Sequence, residues 1–166
     1  MSISKEHKLM LKLAPHHVDT IRGHAEREYP AECCGMLLGH VEGPLRVVTE
    51  VVPLTNLRHD PQRGQELLPL ADPGRESKHN RFLIDPMEQL RVEKDARARQ
   101  LDVLGYYHSH PDHPAQPSPY DQEHAWPWYS YVILSVEQGA ARDINCWVLA
   151  EDRSRFDRQS VEIENP

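Results

Sequence analysis

The chain is predicted to fold as one α+β domain, a mixed and largely antiparallel sheet flanked by helices. Three observations carry this prediction. Strand-like apolar runs far outnumber helical ones, and only two stretches sustain a helical period. The elements follow in the order strand, helix, strand, strand, loop, strand, helix, strand, and then three more strands, without the regular βαβ alternation of a doubly wound parallel sheet. At 166 residues the chain suffices for one hydrophobic core and is too short for two ordinary domains.

Residues 9–13 alternate as a strand. A helix is expected from Pro15, where proline suits the first turn; Val18, Ile21 and Ala25 share one face, and Pro30 ends it. Two apolar strands, 33–41 and 45–53, join around Glu42, Gly43 and Pro44 as a hairpin. Residues 57–80 carry three prolines, two glycines and mixed charge, and read as a loop insertion that is mobile in the free protein; such a loop is either a surface insertion or a binding segment. "RFLID", 81–85, reads as a short strand, and 86–100 as a helix with Pro86 in its first turn and Met87, Leu90 and Val92 packing inward. Strands are expected at 101–110, 130–137, 144–152 and 156–164.

The composition is that of a globular protein, 39% apolar and 27% charged. A formal charge of -7 argues against nonspecific nucleic-acid binding, which needs a basic surface. No apolar run approaches the roughly 20 residues that span a bilayer, and the first residues lack a signal-peptide apolar region, so a cytoplasmic protein with no membrane partner is expected. Three cysteines, two of them the neighbours Cys33 and Cys34, fit reduced thiols, and no C-x-x-C pair exists for a cysteine zinc cluster.

The chemistry concentrates in residues 105–126, "GYYHSHPDHPAQPSPYDQEHAW", with four histidines and four prolines. His108 and His110 lie at the end of a strand, where a period of two sends both imidazoles to one face. Ser118 is placed at the N-cap of a short helix, with Pro119 at N1 and Asp121 at N3. Each part has a plain structural counterpart: the histidine pair as surface, Ser118 and Asp121 as a capping box. Together, two same-face histidines and a carboxylate at a helix start make three N/O ligands with a fourth position open to water, the pattern of a catalytic zinc site. His113 and His124 are expected to be exposed, and Ser109 to face away from the pair. Cys33 and Cys34 read as small core residues, the reactive-thiol alternative being a cysteine-dependent hydrolase.

The order His108-x-His110, seven residues, Ser118, two residues, Asp121, with Glu32 far upstream, resembles the JAMM (MPN-plus) metallopeptidase family. The resemblance implies a single MPN domain of cytidine-deaminase-like fold over 1–166, interrupted by the insertion. It implies one Zn2+ per chain held by His108, His110 and Asp121. Glu32 would then be the general base toward a zinc-bound water and Ser118 a donor to the oxyanion, roles that amide hydrolysis independently requires. Compact bacterial members act on the C-terminal Gly-Gly tail of ubiquitin-like β-grasp sulfur-carrier proteins, which makes such a carrier the expected substrate. The tail is expected to lie extended along a sheet edge, with a narrow passage favouring glycine beside the scissile bond. A homodimer is left open. The rival from another class is a noncatalytic MPN-type interaction module, against which the complete set of five residues speaks.

Overall fold

The computed structural model describes residues 9–59 and 82–165. Most of the expected insertion at 57–80 lies outside the described residues. What is described at its entry is a single 3-10 turn, Leu57–His59.

Among the described residues, seven strands and three α-helices follow in the order β1 (Met10–Leu13), α1 (Pro15–Glu28), β2 (Cys34–Glu42), β3 (Leu45–Leu54), α2 (Pro86–Ala98), β4 (Asp102–Pro111), α3 (Pro119–His124), β5 (Ser130–Glu137), β6 (Ala140–Leu149) and β7 (Phe156–Ile163). Four strand pairings are antiparallel and three parallel. The mixed, mainly antiparallel sheet is therefore as expected, with one addition. Short β1 pairs in parallel with both β3 and β7, and this closes the sheet into a barrel.

Helix α1 packs against one sheet face through Val18, Ile21 and Ala25, as its periodicity predicts, and shares a buried cluster with Leu37, Leu104, Tyr107, Val132 and Leu134. Its start is held by His17, whose Nδ1 accepts the Ala14 N–H at 3.1 Å. Residues Cys34, Met36 and Leu54 face the other way, toward Val92, Val103 and Tyr106. Glycine is required at position 35, where a Cβ would stand 2.1 Å from the Tyr107 ring. That ring lies across the cross-strand neighbour and its hydroxyl bonds His24 Nδ1 at 2.8 Å. The β2–β3 hairpin turns through Gly43 at φ +58°, in the expected place.

Two expectations fail. The strand expected at 81–85 is absent from its described part, 82–85: Ile84 makes one isolated bridge with Asn56, and Phe82 and Ile84 instead pack as side chains on the Cys34–Met36 cluster. In α2, Met87 and Leu90 are 59% and 41% exposed rather than inward. The inward face is set by Ala96, small enough for close approach, with Val92 and with Gln89, which donates to the Tyr106 hydroxyl at 3.1 Å. Asp85 caps this helix by accepting the Met87 N–H at 2.9 Å, with Pro86 at its start.

A β-bulge decides what β4 presents. Leu37 pairs with Gly105 and Leu38 with Val103, leaving Leu104 as an extra residue. Beyond it, Tyr107 faces α1, whereas Tyr106 is on the opposite face with Phe82. His108 follows Tyr106 on that face, its ring 4.8 Å from that of Phe82.

Candidate metal centre

The strand places two ligands and the short helix a third. His108 and His110 end β4 on one face, and Pro111 closes the strand. Four residues on, the His110 Nδ1–H donates to the Pro114 carbonyl at 2.8 Å. This bond fixes the tautomer and leaves the Nε2 lone pair directed at its neighbours. Ser118 then caps α3: its Oγ accepts the Asp121 N–H at 3.1 Å while Asp121 Oδ2 accepts the Ser118 N–H at 2.8 Å.

These elements bring three donors together. His108 Nε2 is 3.2 Å from Asp121 Oδ1, His110 Nε2 is 3.3 Å from Asp121 Oδ2, and the two Nε2 atoms are 3.1 Å apart. All three donor atoms lie within 4.8 Å of one another. Burial alone would push the Asp121 carboxyl up; the adjoining His108 and His110 imidazoles and the hydrogen bond from the Ser118 amide outweigh it and hold the carboxylate well below its usual range. A permanently ionised carboxylate beside two imidazole nitrogens is the donor set of an N/O metal site. The residues present fit a divalent metal.

Glu32 reaches the same place from the residues just before β2. The pairing of Cys34 with His108 continues upstream through Ser109, whose N–H donates to the Cys33 carbonyl at 3.2 Å and whose Oγ accepts the Cys33 N–H at 2.8 Å. That register sets Glu32, 2% exposed, beside His110. Glu32, His110, His113 and Ser118 line one cavity of about 300 Å³. On the other side of the cluster an apolar cleft of about 250 Å³ runs from His108 and Asp121 between Phe82, Ile84, Tyr106, Trp126 and Tyr131.

All five residues expected from the sequence therefore converge. His113 and His124 are exposed, as expected; His124 stacks on Tyr120 with ring centroids 4.0 Å apart. Ser109 points away from the ligands, as expected, but its two bonds to Cys33 tie the Glu32 segment to β4. Both Cys33 and Cys34 are fully buried, and burial pushes the Cys33 thiol up to about 12. A thiol so placed is no nucleophile at neutral pH. The aromatic cleft was only partly legible: Tyr106 shares the parity of His108, but nothing local joins Phe82, Trp126 and Tyr131 to it.

Comparison with known proteins agrees with this geometry. Residues 14–150 match the family described as prokaryotic homologs of the JAB domain. The desampylase of Haloferax volcanii is 33% identical over 132 residues, covering 76% of this chain and 81% of that protein. A probable TtuB-protein conjugate cleaving protease of Thermus thermophilus is 30% identical over 131 residues, covering 79% and 74%. The solution structure of a Desulfitobacterium hafniense protein superposes with a TM-score of 0.73 at 30% identity, covering 95% of this chain and 94% of that one. With most of its length matched and its His-His-Asp centre in place, the chain belongs to the prokaryotic JAB-domain family of JAMM/MPN metallopeptidases.

Proposed function

We propose that the protein is a zinc-dependent peptidase or isopeptidase that cuts an amide bond at the C-terminal Gly-Gly tail of a ubiquitin-like sulfur-carrier protein. The observation that carries this reading is the convergence of His108, His110 and Asp121 on one point flanked by Glu32 and Ser118. In this reading the three cluster residues hold one Zn2+ per chain. Bound there, zinc supplies Lewis acidity toward the scissile carbonyl and the attacking water.

The remaining chemistry belongs to the protein. Glu32 Oε takes a proton from the attacking water as the water adds to the carbonyl carbon, then delivers it to the departing amine. Ser118 Oγ spends a lone pair on the Asp121 N–H, which leaves its hydroxyl proton to donate to the developing oxyanion. Asp121, held by the Ser118 amide, stays ionised throughout.

The tail is given a different berth from the sheet edge first expected. Each described strand has neighbours on both sides, and the part of β3 that outruns β1 lies against α2, where Arg99 pairs with Glu50 at 2.7 Å. The apolar cleft running from His108 suits an extended tail, with glycines at the confined metal end and an apolar side chain further along among Phe82, Tyr106 and Trp126. The names of the two relatives, desampylase and conjugate-cleaving protease, support a carrier conjugate as substrate. Three reduced, buried cysteines support a cytoplasmic setting, and no helix among the described residues is long and apolar enough to cross a membrane.

The test is cleavage of a β-grasp carrier whose Gly-Gly end is extended by further residues or joined to a lysine. Chelation should abolish turnover and zinc restore it. Tight carrier binding without cleavage in the zinc-loaded protein would instead establish an interaction module.

A further inference from the structure

We infer that Asn56 is a positioning residue for the general base, fixing the main chain of Glu32 to the wall of the substrate cleft; this rests on the peptidase reading above. Asn56 follows β3 and is half-buried, with no place in the ligand set. Its side chain nonetheless makes three hydrogen bonds to main-chain groups of three separate segments. Nδ2–H donates to the Glu32 carbonyl at 2.9 Å. Oδ1 accepts the Leu83 N–H at 2.9 Å and the Arg58 N–H at 3.1 Å.

The orientation of the amide follows from its partners. Flipped, it would set an oxygen against the Glu32 carbonyl and an NH2 group against two N–H donors. Around it, Leu57 N–H donates to the Leu83 carbonyl at 2.9 Å, so that Asn56 sits where two strands of chain cross beside the base.

The consequence is mechanical. Glu32 precedes β2, so its position is set by what grips the residues around it. Ser109 grips Cys33 from the ligand-bearing strand, with Oγ on its N–H at 2.8 Å. Asn56 grips the Glu32 carbonyl from the other side. Through Leu83 the same amide is bonded to the Phe82–Ile84 wall, and Phe82 packs on His108. One side chain thus joins the base to the surface that the tail contacts, and pressure of substrate on that wall is carried to Glu32 through two hydrogen bonds. Asn56 acts through Glu32 and touches no reacting atom.

Asn56→Asp breaks this tether. An aspartate keeps an acceptor for the Arg58 and Leu83 amides but offers the Glu32 carbonyl an oxygen, so the tether is lost and a negative charge is added; Asn56→Ser, uncharged and too short to reach the Glu32 carbonyl, should reproduce its effects. The full-length zinc protein should keep its metal and its KM and lose about tenfold in kcat, of the order of one lost hydrogen bond amplified by misplacement of the base. In a Glu32→Gln background the same substitution should cost nothing further, because the group it positions no longer acts.

A second readout needs no turnover. In the zinc-free protein, hydrogen exchange at the Cys33 amide should quicken about tenfold in Asn56→Asp, with the Ile133 and Leu134 amides unchanged. An unchanged Cys33 amide overturns the inference. So does a uniform acceleration that includes Ile133 and Leu134, or an equal loss of kcat in the Glu32→Gln background. If the wild-type protein cleaves no carrier tail, the peptidase reading falls, and the Cys33 exchange still decides whether Asn56 holds the Glu32 segment.

Discussion

Ser118 and Asp121 exchange two hydrogen bonds, and the carboxylate that closes this capping box is the one that faces His108 and His110. The structural and the metal-binding uses of the pair are the same arrangement. The box fixes the Asp121 rotamer before any ion arrives, and α3 needs to be no longer than its six residues to do so.

Ser118→Ala should therefore retain zinc, since the Asp121 Oδ2 bond to the Ser118 N–H is untouched. It should lose about 10²-fold in turnover with the oxyanion donor, and about 1 kcal/mol of stability with the cap. Ser118→Thr keeps hydroxyl and cap and should restore both. Kinetics beside thermal melts separate the two effects.

His110→Ala removes one of the three donors and should abolish both bound zinc and activity. Elemental analysis is the measurement. One zinc per chain retained by this variant would contradict the ligand set.

Glu32→Gln preserves size but cannot accept the proton of water. It should keep metal and affinity for the carrier and lose about 10²- to 10⁴-fold in kcat. Wild-type turnover would disprove the mechanism, and loss of zinc would make Glu32 a ligand.

Alkylating agents should leave activity intact at pH 8. With the Cys33 thiol pushed up to about 12, its thiolate fraction there is on the order of 10⁻⁴, and Cys34 is also raised by burial. Mass spectrometry of the native protein should find both residues unmodified while a chelator inhibits fully; the reverse pattern would make the enzyme a thiol hydrolase.

Gly35→Ala should destabilise the protein by about 3 kcal/mol, because its Cβ would enter the Tyr107 ring, itself buried and tied to His24. Urea unfolding at equilibrium gives the value. A loss under 1 kcal/mol would mean that the β2–β4 contact is looser than described.

The strands were legible because short apolar runs bounded by turn residues mark β2, β3, β4 and β5, most of them buried on both faces. Barrel closure was not, since it depends on four residues of β1 meeting β7 across most of the chain, a pairing no local pattern announces. The inward face of α2 was misread at Met87 and Leu90 because the neighbours decide which side packs, and they chose the side of Ala96. The ligand set could be read because its members occupy strand and helix-cap positions of fixed geometry. Asn56 could not, because an asparagine after a strand is an ordinary loop residue until its three partners are seen.

The bulge at Leu104 makes the identity of the site a matter of odd and even. Downstream of it, Tyr106 and His108 look into the cleft and His110 lies on the same face beside Glu32, while Tyr107 looks toward α1 and Ser109 toward Cys33. Deleting Leu104 alone would join Val103, paired with Leu38, directly to Gly105, paired with Leu37, so the ladder becomes regular and Tyr106, His108 and His110 keep their face; what is lost is a buried core side chain. Inserting a residue between Gly105 and His108 has no such remedy: either the strand slides and displaces the Ser109 bonds to Cys33, or it holds its pairing at the start and turns both imidazoles toward the apolar core. The bulge thus gives the strand slack in one direction only, and single-residue insertions there should be far less tolerated than deletion of Leu104 or substitutions at the same positions.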